Sequence, residues 1–320
     1  MSGAPTSGRD LDLSTYATIR RLAHDPDTRF ILALGAGAGP ALGANVAICA
    51  MIEDLGLKDR VAEIWGVSAG AVVGGAFAAG SPAAEIQSGL QGLAKKGAVD
   101  VAWGEIFRGL ARAARGGHLP SGLVGGKVFA DALKTGLKQS TFEACPVPFR
   151  CIAATDDGLA RKKIFRHGPL IPAILRSMNI PGVMMPQPPD EDGQRYVDGA
   201  VVESTPVLSP LLDHSRLFPG KRAVVLATRI LRGRPGGEGG AGSFVARMLR
   251  TMQALQARLW ERQIEEARQR KDATVLLLET KFDAPELFDF AEIERHATHA
   301  RVLYASALED GRIGALLGAD

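Results

Sequence analysis

Residues 61–75 read VAEIWGVSAGAVVGG, an apolar run that leads into a serine with one glycine two positions before it and another two positions after it. Glycines at these positions, Gly66 and Gly70, are typical of a sharp strand-to-helix turn, because a side chain at either would collide with the turn. Such a turn lifts the hydroxyl of Ser68 clear of the backbone, as in a nucleophile elbow. We predict a strand, a turn at Ser68 and a small-residue helix. Close packing alone is the alternative in a chain with 38 glycines.

The same order of elements occurs before this stretch. Residues 29–39, RFILALGAGAG, form a short apolar run that ends in glycines, and residues 44–57, ANVAICAMIEDLGL, have the spacing of a helix that stops at Gly56. Strand, glycine turn and helix, occurring twice, indicate an α/β fold with a parallel sheet. Further buried strands are predicted in PFRCIAATD, KRAVVLATRI and ATVLLLE.

Composition and charge restrict the class of protein. The chain has 320 residues, 46% hydrophobic and 23% charged, and we predict a single domain at residues 29–315 after a lead-in at residues 1–28 with a short helix near Tyr16. A net charge of +3 gives no basis for nucleic-acid binding. The three cysteines form no C-x-x-C pair, so we expect neither a disulfide framework nor a metal site. Because no signal peptide or membrane span is recognisable, we predict a cytoplasmic protein.

The glycine-rich stretch after the first predicted strand, GAGAGPALG at residues 35–43, does not fit a nucleotide-binding motif. A G-x-G-x-x-G pattern fails at Pro40 or at Leu42, depending on where it starts, and the G-K-[ST] of a phosphate-binding loop is absent. We therefore predict no cofactor. The stretch still offers backbone N–H groups at the start of a helix, which suit a transient oxyanion as well as a phosphate.

A candidate general base lies in YVDGA, residues 196–200. Asp198 stands at the end of a short apolar run, which would place its carboxylate at the C-terminal edge of the sheet, where α/β proteins position ligands and catalytic groups. A serine nucleophile needs such a base, because its free hydroxyl is almost wholly protonated at neutral pH. A plain Asp-Gly turn is the alternative.

Four stretches in this order resemble the patatin-like phospholipase family: LALGAGAGP, then IWGVSAGAVVGGAFAAG, then PFRCIAATD with GPLIPAILRSMNIPGVMMP, and finally YVDGAVVESTP. The resemblance implies a three-layer αβα fold with a mainly parallel central sheet. It also implies a lipid acyl hydrolase that works through an acyl-enzyme intermediate. Its substrate would be a phospholipid, a lysophospholipid or a related acyl ester, reached through transient contact with a membrane surface.

The resemblance also assigns roles to the residues of these motifs. Ser68 would be the nucleophile and Asp198 the general base of a Ser–Asp dyad. The oxyanion hole would be formed by Gly35, Ala36, Gly37 and Ala38. The elbow motif includes Gly66 and Gly70, and the acid motif includes Gly199 and Ala200. The loop departs from the family's G-G-G-x-R-G pattern, since it has no arginine and Pro40, near that position, has no N–H to donate.

Two other functions stay open. An α/β-hydrolase with a Ser–Asp–His triad shares the G-x-S-x-G motif and the chain order. Its candidate bases are His214, predicted in a loop, and His296 and His299, predicted on a solvated helix face. The second alternative is a non-catalytic lipid-binding protein that keeps the fold but has lost turnover through the altered loop.

A long helix is predicted from about Ser243 to Arg270. Its apolar residues recur at three- and four-residue spacing and include Leu255 and Leu259, with arginines such as Arg258 and Arg262 beside them. This pattern favours a helix that packs its apolar stripe on the sheet and leaves a solvated basic face, and a helix on a membrane surface is the alternative.

Overall fold

The structure is a computed structural model that describes residues 25, 27–95, 115, 122–217, 222–232, 244–270, 273–282 and 292–309. The short helix predicted near Tyr16 lies outside the described residues, as does nearly all of the predicted lead-in at residues 1–28. The first strand begins at Thr28, one residue before the predicted start of the domain.

Within the described residues, seven strands form one sheet in the order β4-β3-β2-β1-β6-β7, with β5 also paired to β3. The strands are β1 Thr28–Leu34, β2 Val61–Val67, β3 Phe149–Thr155, β4 Lys162–Phe165, β5 Tyr196–Asp198, β6 Arg222–Arg232 and β7 Ala273–Phe282. Strands β3, β2, β1, β6 and β7 run parallel to their neighbours, whereas β4 and β5 are antiparallel to β3. The predicted mainly parallel sheet is confirmed.

Helices cover both faces of this sheet. One face carries α1 Ala38–Asp54, α2 Ala69–Ala78, α3 Ala83–Lys95, α4 Lys127–Gly136, α5 Leu170–Ser177 and α8 Ile293–Glu309. The other face carries α6 Leu208–Leu217 and α7 Phe244–Arg268. Residues of β1 alternate between the two cores, since Phe30 and Leu32 pack on the first and Ile31 and Ala33 on the second. Burial on both faces explains the continuous apolar run in this strand, and the predicted three-layer αβα fold is confirmed.

The helix boundaries follow local signals. Helix α1 ends at Asp54, and Gly56 follows in the left-handed conformation (φ 63°), in agreement with the predicted C-terminal cap. Helix α7 was predicted from Ser243 to Arg270 and spans Phe244–Arg268. None of the helices within the described part of the chain is long and apolar enough to cross a membrane.

The side of α7 that faces the sheet differs from the prediction. Trp260, Ile264 and Ala267 are buried in the second core, whereas Leu255 and Leu259 of the predicted apolar stripe are 61% and 39% exposed. The predicted stripe did not include Trp260, whose large ring offers more apolar surface to bury than a leucine side chain does. The predicted contact face was therefore wrong for these two leucines, while packing of the helix on the sheet is confirmed.

The turn between β2 and α2 is fixed by two close approaches of backbone to backbone. A side chain at Gly66 would place its Cβ 2.6 Å from Gly70 O, and one at Gly70 would place its Cβ 2.0 Å from Leu34 O. Both distances are far below van der Waals contact, so only glycine fits at either position. The turn is thus pressed against the end of β1, and the spacing of these glycines is a packing requirement of the fold.

A substitution at Gly70 tests this account. Gly70→Ala should lower the free energy of unfolding by at least about 2 kcal/mol, because the added methyl group overlaps main-chain atoms that cannot move independently. Gly89→Ala is the matched control, since Gly89 lies in α3 with no atom within 4 Å of the added Cβ. That change should raise stability by about 0.5–1 kcal/mol. Urea unfolding measures both, and a Gly70→Ala protein as stable as the wild type would contradict the account.

Candidate functional site

Ser68 occupies a strained backbone position between β2 and α2. Its φ of 55° and ψ of −118° lie in a region that favours glycine, and a non-glycine residue there costs about 1–3 kcal/mol. The Ser68 carbonyl accepts the N–H of Ala71 at 2.9 Å, and the Ser68 N–H donates to Ser177 Oγ at 2.9 Å. These contacts hold the residue at the head of α2, as the predicted elbow requires.

Asp198 reaches the same place through strand pairing. Strand β2 pairs with β3 up to Val67 opposite Ile152, and β5 pairs with β3 at the next residue, with Asp198 opposite Ala153. Because β4 occupies the other edge of β3 at these residues, β5 lies in line with β2, beyond its end. The register of one strand therefore places the acid next to the turn that carries Ser68.

The acid motif has a steric explanation as well. A Cβ on Gly199 would lie 2.1 Å from Ile152 O, so the residue after Asp198 must be glycine for β5 to approach β3 so closely. The next residue, Ala200, donates its N–H to Asp198 Oδ1 at 2.8 Å. Gly199 and Ala200 thus position the Asp198 carboxylate through backbone contacts and not through side-chain chemistry.

Burial controls the charge of Asp198. Asp198 is only 3% exposed, and the loss of solvation raises the pKa of its carboxyl to about 6. Hydrogen bonds from the Ser68 hydroxyl and the Ala200 N–H act in the opposite direction. The Ser68 hydroxyl therefore lies close enough to the Asp198 carboxyl to lower its pKa. A pKa near 6 leaves the group mostly ionised at neutral pH yet poised to take up a proton.

Two residues of the segment before β5 hold the pair together, although sequence reasoning gave them no role. Ser177 Oγ accepts the Ser68 N–H and donates to Ile152 O at 2.6 Å. Asn179 O accepts the Asp198 N–H at 2.8 Å, and its side chain donates to Tyr196 O at 2.9 Å. The available signal was their place in the matched segment AILRSMNIPG, where the two side chains stand next to the apolar residues Met178 and Ile180.

The glycine-rich loop requires a correction to the predicted oxyanion hole. The N–H of Gly35 donates to Thr228 Oγ1 at 2.9 Å, and the N–H of Ala36 donates to Ser204 O at 2.8 Å. Both donors are engaged within the protein, so these two residues do not fit the predicted role. Gly37 and Ala38 follow at the start of α1, and Ala38 has a φ of 53°, a strained value for a residue with a side chain.

A buried polar network fixes the beginning of this loop. Asn45, in α1, donates its side-chain N–H to Gly35 O at 2.9 Å, and its Oδ1 accepts the hydroxyl of Thr228 in β6. Thr228 in turn accepts the Gly35 N–H. Asn45 and Thr228 are 0% and 1% exposed. Both polar groups of the Gly35 backbone are thus satisfied by side chains, which holds the loop where β1 ends.

The candidate histidines differ from the predictions in part. His214 lies in α6 and is buried rather than placed in a loop, and His296 in α8 is buried where its Cβ contacts the backbone position of Gly43. His299 is exposed, in agreement with the prediction. Packing of α8 against α1 explains the burial of His296. Among the described residues, Ser68 and Ala200 are the groups that lower the pKa of Asp198, and no histidine is among them.

The described residues contain no group of three or more His, Cys, Asp or Glu side chains arranged to hold a metal ion. All three cysteines are free thiols, with Cys49 and Cys151 buried and Cys145 partly buried. Burial raises the pKa of the Cys151 thiol to about 12, so it is fully protonated at neutral pH.

Comparison with known proteins agrees with the arrangement of these motifs. The sequence model described as patatin-like phospholipase matches residues 28–211. An uncharacterized NTE family protein of Mycobacterium bovis and one of Mycobacterium tuberculosis are each 29% identical over 180 residues, which is 55% of this chain and 44% of the relative. The chain thus spans less than half the length of the curated relatives that it matches.

Among solved structures, the crystal structure of VipD from Legionella pneumophila aligns with 88% of this chain and 67% of its own, with a TM-score of 0.42 and 11% sequence identity. The family match extends over more than half of the chain and includes both the Ser68 turn and the Asp198 motif. On that basis the chain belongs to the patatin-like phospholipase family.

Proposed function

We propose that this protein is a lipid acyl hydrolase that uses Ser68 as nucleophile and Asp198 as general base. The observation that supports this most strongly is the buried Asp198 carboxyl, whose pKa is lowered by the nearby hydroxyl of a serine on a strained turn. A strained residue persists only where the surrounding structure holds it, and such residues cluster at active sites. Family membership supports the same class of activity.

The chemistry proceeds in two acyl transfers. Asp198 takes the proton of the Ser68 hydroxyl while the Ser68 oxygen attacks the ester carbonyl carbon. The carbonyl π electrons move onto the carbonyl oxygen and form a tetrahedral oxyanion. Collapse of this species breaks the ester C–O bond, and the protonated Asp198 gives its proton to the departing alcohol. Asp198 then takes a proton from water, whose oxygen attacks the acyl-enzyme. A second collapse breaks the bond between the acyl group and Ser68 and releases the carboxylic acid, while Asp198 returns its proton to the Ser68 oxygen.

Stabilisation of the oxyanion is assigned to main-chain donors. Ala38 begins α1, so its N–H has no partner within that helix, and Ala69 begins α2 directly after the nucleophile. The N–H that follows the nucleophile commonly serves this purpose in serine hydrolases, together with one N–H from a neighbouring loop. Both helices also direct the positive end of their dipoles toward the site.

A cavity beside α2 suits an acyl chain. Its volume is about 780 Å³, and it lies between α2, α3 and α4. The lining is mainly apolar and includes Val72, one turn beyond Ser68, together with Ile86, Leu90, Phe129 and Leu133. Burying the chain there would supply about 0.8 kcal/mol per methylene group, so we propose that the acyl half of the ester occupies this cavity.

The two alternatives receive less support. A Ser–Asp–His triad requires a histidine on the carboxylate, and the described partners of Asp198 are Ser68 and Ala200. A non-catalytic lipid-binding protein would have no need of a buried carboxylate with a raised pKa, because burying that charge costs stability. In an acyl hydrolase, the same buried carboxylate would act as the general base.

The dyad predicts which variants lose turnover. Asp198→Asn should lower kcat for p-nitrophenyl butyrate by about 10²–10⁴-fold, the usual contribution of a positioned base. In the wild type, kcat/KM should fall below about pH 6, where Asp198 becomes protonated. His214→Asn and His296→Asn, scaled by the folded fraction from circular dichroism, should stay within a few-fold of the wild type. A folded histidine variant as inactive as Asp198→Asn would favour the triad instead.

Burial of Asp198 also predicts a pH-dependent stability difference. The folded-state pKa of about 6 lies above the ordinary value of 3.8, so the folded protein holds a proton that the unfolded chain has released. The stability of the wild type should therefore fall, relative to Asp198→Asn, as pH rises from about 4 to 7. Exposed Asp157 provides the control: its pKa is lowered rather than raised, so the stability difference between the wild type and Asp157→Asn should stay constant from pH 5 to 7. Urea titrations across this range check it, and a constant difference for Asp198→Asn would contradict the assignment.

A further inference from the structure

The sheet has a topological switch point beside the candidate site. From β1 the chain continues to β2 on one side, while β6 and β7 lie on the other side. In parallel α/β sheets, ligands bind in the crevice at the carboxyl ends of the strands where the order reverses. Here that crevice lies between the ends of β1 and β6, which carry the loop at Gly35 and the residues after Thr228.

A cavity of about 370 Å³ occupies this crevice. The loop residues Ala36 and Gly37 form one wall, Arg229 of β6 forms another, and α7 contributes Gln253, Gln256 and Trp260. The cavity differs from the apolar one beside α2, because guanidinium and amide groups line it together with the tryptophan ring. Of the described residues that line it, Arg229 is the one with a formal charge.

The Arg229 side chain is held in place from two sides. Successive residues of a strand point to opposite faces, so Thr228 meets Asn45 on the α1 side while Arg229 points toward α7. Its guanidinium lies 4.7 Å from the centre of the Trp260 ring, and its NH1 donates to Glu279 Oε1 at 2.7 Å. A guanidinium has five N–H donors in a planar fork, so one contact to a carboxylate leaves donors for a ligand.

We propose that this cavity binds the anionic group, a phosphate monoester or a carboxylate, on the alcohol half of the ester that Ser68 cleaves. The proposal rests on the proposed acyl hydrolase function. Because the loop at residues 35–43 has no charged side chain, Arg229 supplies the positive charge beside it. The acyl chain then extends along α2 and the charged alcohol lies toward β6. The favoured substrates are acyl esters of an anionic alcohol, such as lysophosphatidate.

Binding of the alcohol half can be measured without turnover. Isothermal titration calorimetry of the full chain with sn-glycerol 3-phosphate should show binding that Arg229→Gln weakens by about 10- to 100-fold, the usual range for a hydrogen bond to a charged group. Glycerol should show none. Inorganic phosphate should bind more weakly than glycerol 3-phosphate. Equal affinities would mark a site for free phosphate and overturn the assignment to the alcohol half.

Two further variants separate ligand binding from a structural role. Glu279→Gln keeps the arginine but removes its carboxylate partner, so glycerol 3-phosphate should bind as tightly or tighter. If the Arg229–Glu279 pair were merely structural, both variants would weaken binding together. Arg161→Gln is the matched control, because Arg161 forms a similar ion pair with Asp157 on the surface. Its affinity should match that of the wild type.

Hydrolysis supplies an independent readout. Lysophosphatidate and the monoacylglycerol with the same acyl chain differ only in the phosphate, so the ratio of their kcat/KM values isolates its recognition. Arg229→Gln should lower this ratio at least tenfold through KM, with little change for the neutral ester. If glycerol 3-phosphate bound in an Arg229-dependent manner but no ester were hydrolysed, the acyl hydrolase function would be refuted and the anion site would stand. Hydrolysis of both esters with an unchanged ratio in Arg229→Gln would refute the anion site alone.

Discussion

Strand β3 is the element on which the candidate site depends. It pairs with β2 up to Ile152 and with β5 from Ala153 onward, so one strand sets the positions of Ser68 and Asp198 relative to each other. Ser177 reinforces this by linking the Ser68 N–H to the carbonyl of Ile152. A shift of one residue in either pairing would point the side chains of that strand to the opposite face of the sheet. The proximity of Ser68 and Asp198, on which the proposed dyad depends, is therefore a consequence of strand register.

The site concentrates several costly features, and packing around it offsets them. Ser68 and Ala38 have positive φ values, and Asp198 is buried as a carboxylate. Each costs on the order of 1–3 kcal/mol, which is large against a typical net stability of about 5–15 kcal/mol. The apolar cores on both faces of the sheet and the Asn45–Thr228 network hold these residues in place. Such a concentration of strain at one edge of the sheet is typical of a functional site.

The sequence predicted well what depends on local geometry. Gly66, Gly70 and Gly199 were identified by motif, and each proves to be a position where a Cβ would strike backbone. The sequence did not predict contacts between segments that are far apart in the chain. Nothing near Gly35 in the sequence indicates that its N–H is taken by Thr228, 193 residues away. The burial of His214 was missed for a similar reason, because the partners of a helix face are set by tertiary packing.

The most direct test of the central claim is to find which residue a fluorophosphonate probe modifies. The probe reacts covalently with activated serine nucleophiles, and tandem mass spectrometry of the digested full chain locates the modified residue. We expect the modification on Ser68. It should be slower at pH 5 than at pH 8, because Asp198 is mostly protonated at pH 5. The modification should be lost in Ser68→Ala, whose circular dichroism spectrum should match that of the wild type. Modification of a different serine, or no reaction of the folded protein, would contradict a nucleophilic Ser68.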